Sequence, residues 1–166
     1  MTEGQRIAEQ LRAAYSGPAW HGPSLMEALA GVTSGEASSR PIAGAHSIWE
    51  IVRHLTTGYR VVRSRLAGDR ADVGDEEDWP VVEEPTEAGW REDLAVLKDL
   101  HETLVSAVGE VREERLELPV VANYSSTYRT LHGHVQHVLY HAGQIVLLRR
   151  AQESGPRSLE APPSRV

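Results

Sequence analysis

The residues of this chain best suited to chemistry are its histidines. There are eight, and no cysteine, in 166 residues. Four of them, His132, His134, His137 and His141, fall within one short stretch near the C-terminal end. An α-helix turns by about 100° per residue. On a helix, His137 and His141 therefore lie about 40° apart, one turn above the other. Two imidazoles so placed can grip one divalent metal, as His-x-x-x-His pairs do in zinc enzymes. His134 falls on the same face and His132 does not. A catalytic metal wants three protein ligands and an open position for water or substrate. The third donor must then come from a neighbouring element. His54 is the candidate, one turn after Glu50 and beside Ile51 and Leu55 at the edge of an apolar stripe.

Each of these residues also has a plainer reading. A histidine on an apolar face can be a core residue bonded to a carbonyl, and i,i+4 pairs also occur on solvated faces. His134 reads as an accessory or surface residue. His46 reads as a helix-start residue and His101 as a satisfied core residue. His21 lies in a loop beside Trp20. Three further residues are candidates for catalysis or support. Glu50 could orient His54 through its free ring nitrogen, or stand solvated on the helix. Gln144 could line a pocket or meet solvent. Tyr140 could donate a hydrogen bond or pack on the third long helix. Gly143 costs about 1 kcal/mol of helix propensity against Ala, which points to a close helix approach.

Composition removes several classes. Without cysteine there are no disulfides, no thiolate nucleophile and no Cys-type zinc site. The net charge is −7, which argues against nucleic acid as a partner. No run approaches the 18 or so apolar residues that cross a bilayer, so no membrane is expected. The polar start, MTEGQRIAEQLRAAY, does not read as a signal peptide. A cytoplasmic protein is the expectation.

The positioning elements are helical. Ile7, Leu11 and Tyr15 have helical spacing behind the N-cap candidate Thr2. Ser24 and Glu27 form a capping pattern for a short helix to Ala30. A further turn is expected over 34–40, stopped by Pro41. From His46 to Leu66, the stripe Ile48, Ile51, Val52, Leu55, Tyr59, Val62 and Leu66 has the helical period. Residues 69–86, acidic and holding Pro80 and Pro85, read as a crossover loop. Thr86 caps a third long helix, from Glu87 to about Arg112. Residues 116–129 read as a connection, and Thr130 as the cap of a last helix to about Glu153. No strand pattern or repeat is present. The expected fold is all-α, a four-helix bundle with long crossover connections. It is one domain over 1–153, with a disordered tail over 154–166.

Two segments resemble a known family. Gly44-Ala-His-Ser-Ile-Trp-Glu-Ile-Val-Arg-His54-Leu and His137-Val-Leu-Tyr-His141-Ala-Gly-Gln-Ile are similar to the paired motifs of the DinB/YfiT-like superfamily of metalloenzymes. Trp20-His-Gly-Pro-Ser and Asp78-Trp-Pro look like one bacterial branch of it. The resemblance runs over about residues 3–152. It implies a four-helix bundle with a three-histidine metal site. His54 matches the single histidine of the second helix, and His137 and His141 match the pair on the last. It also implies a homodimer.

Three imidazoles suit zinc or nickel, and also iron, manganese or copper. Such a metal could lower the pKa of a bound water or bind an external thiol as thiolate. By resemblance to thiol S-transferases, transfer of a low-molecular-weight thiol to a small-molecule substrate leads. A metal-dependent hydrolase is the enzymatic alternative. A metal-binding stress-response module without turnover, or a plain dimerising bundle, are the others. A structural site would be closed by a fourth ligand, with His134, His101 and His21 as candidates. Protons should compete with metal below roughly pH 6.

Overall fold

Side-chain caps set where most of the helices begin. In the computed structural model, which describes residues 1–154, the hydroxyls of Thr2, Ser24, Thr33 and Ser47 each accept from the backbone N–H three residues on. Gln5, Glu27, Glu36 and Glu50 reach back to the caps' own N–H groups. These reciprocal boxes start α1 (Glu3–Ser16), α2 (Leu25–Leu29), α3 (Ser34–Ser38) and α4 (Ile48–Ala67). Gly68, with φ of +104°, closes α4 in the left-handed conformation that glycine adopts without strain.

Thr86 Oγ1 accepts from Gly89 N–H at 3.1 Å and starts α6 (Glu87–Gly109). That helix stops short of Arg112. The N–H groups of Glu110 and Val111 turn back to the carbonyls of Ala107 and Val108, which tightens its last turn. Two single turns also form: α5 (Asp75–Asp78) within the expected crossover, and α7 (Glu113–Leu116) just before the connection expected from Leu116. Neither is long enough to carry an apolar period. The last helix, α8 (Thr127–Ser154), begins before the expected cap Thr130. Ser126 caps it: its Oγ accepts from Arg129 N–H and its carbonyl from Thr130 N–H. Ser154 ends α8; the rest of the expected disordered tail lies outside the described residues.

The four long helices form the bundle. α4 packs on α6 and α8, and α1 packs on the same two. The long crossovers carry α2 and α3 between α1 and α4, and α5 between α4 and α6. The described residues contain no strand, only one isolated bridge between Pro119 and Ser126. With no Phe in the chain, tryptophan fills the α4–α6 end. Trp49 and Trp90 are buried with ring centroids 5.3 Å apart. Both indole N–H groups are satisfied, by Asp93 Oδ2 at 2.6 Å and Val32 O at 3.0 Å.

Two glycines test the packing with opposite signs. A Cβ on Gly4 would fall 2.8 Å from the carbonyl oxygens of both Val108 and Val111, so glycine lets α1 approach the end of α6. Gly143, expected to mark a close approach, faces open space instead. Gly143→Ala should therefore stabilise the protein by about 1 kcal/mol through helix propensity. Gly4→Ala gains the same propensity yet should destabilise by about 1–3 kcal/mol, because backbone must move. Thermal melting should show shifts of opposite sign, about 2–4 °C per kcal/mol.

Candidate metal centre

Packing α4 against α8 brings three histidines together. His54 comes from α4, and His137 and His141 from α8, and their nitrogen donors all lie within 4.8 Å of one another. The rings meet edge-on, with centroids 4.8 Å (His54–His137), 4.8 Å (His54–His141) and 4.6 Å (His137–His141) apart. Gly58, one turn after His54, makes the room. A Cβ there would sit 3.2 Å from His137 Cε1.

Hydrogen bonds fix which nitrogens carry protons. His54 Nδ1 lies 2.9 Å from the Asp78 carbonyl oxygen and 3.1 Å from its carboxylate Oδ1. Both partners only accept, so Nδ1 donates. A neutral imidazole has one N–H, and Nε2 of His54 is left with a lone pair. His141 Nδ1 likewise donates to Gln144 Oε1 at 2.6 Å, which leaves its Nε2 as a lone pair. The Nε2 atoms of His54 and His137 lie 2.8 Å apart. Without a cation, that distance requires His137 Nε2–H to donate to His54. A metal ion would replace that proton, so the donor set fits a divalent ion, and these three residues could hold one.

Burial keeps two of the three ligand candidates neutral. Desolvation, then repulsion from His141 and His54, lowers the His137 pKa from 6.5 to about 4. Desolvation lowers that of His141 to about 4, against the opposing effect of its bond to Gln144. The competition with protons expected below pH 6 is therefore displaced downward for these two ligands.

The acidic crossover supplies the outer wall. Thr57 Oγ1 donates to Glu77 O at 3.1 Å and His54 to Asp78, which docks α5 on α4. Trp79 then lies between two imidazoles, stacked on His54 at 4.0 Å and on His46 at 3.7 Å. Beside the cluster is a cavity of about 330 Å³, lined by residues that include Trp79, Tyr140, His141 and Gln144.

The other candidates are placed as follows. Glu50 is buried but does not touch His54. One carboxylate oxygen bonds Arg40, and the other accepts from Ser47 N–H at 2.8 Å, so its own cap engages it. Asp78 occupies the ring nitrogen that Glu50 was expected to orient. Tyr140 is exposed at the cavity mouth, beside His141. His134 is buried with its ring edge-on to Tyr59, and its Nε2 has no partner among the described residues. His101 is buried, stacks on Tyr15 and has Nδ1 3.2 Å from Tyr59 OH. His21 is exposed. His132 packs against Tyr128, and its buried Nε2 also lacks a partner among the described residues. Sequence reasoning assigned no site role to Asp78, Trp79 or Gly58. The available signals were an aromatic in an otherwise acidic loop and a glycine in mid-helix.

Residues 9–145 match the DinB superfamily. The chain belongs to that superfamily. Among solved structures, a crystal structure of a conserved protein from Enterococcus faecalis is similar to this DinB superfamily chain at 20% identity and a TM-score of 0.57. The match covers 93% of this chain and 99% of that one, and shows the shared fold. No curated protein matches the chain.

Two outcomes follow for this DinB superfamily protein. Gln144→Leu removes the acceptor that orients His141, and should weaken metal affinity about 10–100-fold in a chelator competition titration. The buried imidazoles also couple stability to acid. Folded pKa values near 4 for His101, His137 and His141, and near 3 for His134, lie below the ordinary 6.5. The unfolded chain therefore binds more protons between those values. Stability of the metal-free protein should be full above about pH 6.5 and fall as pH drops toward 4. Urea melts at stepped pH check this, and a flat profile would contradict it.

Proposed function

We propose that this protein is a divalent-metal-dependent enzyme that activates a low-molecular-weight thiol for transfer to an organic acceptor. The observation that carries the reading is the convergence of three imidazole nitrogens beside a cavity with no fourth protein ligand among the described residues. His134, His101 and His21, which could have closed a structural site, all lie outside the group. Imidazole donors suit zinc and nickel first, with iron and manganese also compatible. A divalent ion held by neutral ligands keeps its full charge and lowers the pKa of a bound thiol or water.

The chain's own residues then have defined tasks. His54, His137 and His141 hold the ion, while Asp78 and Gln144 keep two rings in the tautomer that ligates. Tyr140 stands at the mouth, where its hydroxyl can donate to the acceptor. Glu50, tied to Arg40 and its cap, stays outside the chemistry. In the transfer, the thiol S–H gives its proton to solvent and the sulfur bonds the acceptor's electrophilic carbon. The leaving group departs with the electron pair of the broken bond. The chain has no cysteine, so the thiol arrives as a substrate. The reading takes the protein as a homodimer, following the family resemblance, and as cytoplasmic.

The test uses cobalt-loaded protein titrated with 2-mercaptoethanol. A saturable sulfur-to-cobalt charge-transfer band should appear in the near ultraviolet and be absent in His137→Ala. No band, together with metal-dependent hydrolysis of a p-nitrophenyl ester, would overturn thiol transfer in favour of hydrolysis.

A further inference from the structure

We propose that the cavity beside the three imidazoles binds a neutral molecule with an apolar body and one hydrogen-bonding end. The identification of that molecule as the thiol's acceptor rests on the function proposed above; the binding does not. At about 330 Å³, the cavity has roughly twice the volume of an apolar cavity that holds benzene. Its walls are largely Ile42, Ala45, Ile51, Leu147, Leu148 and the Trp79 ring. Among the described residues no Lys, Arg, Asp or Glu lines it, and the His46 imidazole that does is stacked on Trp79. In the metal-free protein, a carboxylate, phosphate or ammonium entering it would lose water and meet no charged Lys, Arg, Asp or Glu side chain in return, which is unfavourable. The turn behind Trp79, Asp75-Glu76-Glu77-Asp78, is wholly acidic and adds repulsion toward anions.

The polar end is equally specific. Gln144 lines the cavity and its Oε1 already accepts from His141, so its amide N–H₂, without a protein partner among the described residues, is free to donate to a ligand. His141 also lines the cavity, so a polar group held there lies next to the cluster. At the mouth, beside His141, Tyr140 and Leu147 are 64% and 59% exposed. They stand two turns apart on α8 and form an apolar lip that an apolar ligand would cover.

The test is a titration of the full chain with 1-butanol through 1-octanol, followed by the NMR signals of the Trp79 indole and the Gln144 side-chain amide. Affinity should rise about 4-fold per methylene, in line with apolar transfer, until the cavity is full. On chelated, metal-free protein, octanoate and octylammonium should bind at least 10-fold more weakly than 1-octanol. Leu147→Asp, at an exposed position that should not disturb folding, should weaken 1-octanol at least 10-fold with metal content unchanged. Octanoate binding as tightly as 1-octanol, no gain with chain length, or unaltered binding in Leu147→Asp would each overturn the proposal. Alkanol binding measured on chelated protein keeps the two ideas separable. Its loss alongside an intact thiol–cobalt band refutes only the cavity assignment, and the reverse pattern refutes only thiol transfer.

Discussion

Three imidazole nitrogens held together in a largely desolvated seam between α4 and α8 are the constraint on which the rest of this structure depends. Two of the three, on His54 and His141, present lone pairs inward because their Nδ1–H groups donate to acceptors on Asp78 and Gln144. Lone pairs so converged repel unless a proton or a cation lies between them. The Nε2–H of neutral His137 meets one of those lone pairs, and burial penalises the further proton that would charge His137 or His141. A cation that stays charged in this setting answers both demands, because coordination replaces the water it loses.

The surrounding parts can be understood as what holds that arrangement in place. Gly58 gives up helix propensity so that the His137 ring can lie against α4. Glu50 secures the first turn of α4, through the cap on Ser47 and the ion pair with Arg40, and so sets where His54 stands one turn later. The crossover after α4 returns to the same seam. Thr57, His54 and Arg53 bond the backbone of Glu77, Asp78 and Val81. This docking delivers Trp79 as a flat wall shared by the cluster and the cavity. One short acidic segment thus orients a ligand and shapes a binding space.

Much of this was legible in the residues, and the divisions are physical. The bundle followed from apolar stripes on α4 and α6, because a 3.6-residue period is a local property. The four-residue spacing of His137 and His141 predicts a shared face for the same reason. Partners distant in the chain were not legible. Nothing local says that Asp78 reaches His54 across 24 positions, so the nearer Glu50 was the natural guess. Its oxygens find Ser47 and Arg40 first. Gly143 was misjudged similarly: its cost is local, but whether a neighbour fills the space is not. At the start of α8, Ser126 and Thr130 both carry capping hydroxyls, and only the fold of the preceding connection selects Ser126.

The most direct test of the account is the metal content of the full chain, purified without a nickel column and measured by elemental mass spectrometry. The account predicts about one divalent ion per chain, falling well below that in His54→Ala while far-ultraviolet circular dichroism remains helical. Wild-type protein with far less than one ion per chain after incubation with zinc, or a His54→Ala variant that retains the full complement, would contradict it.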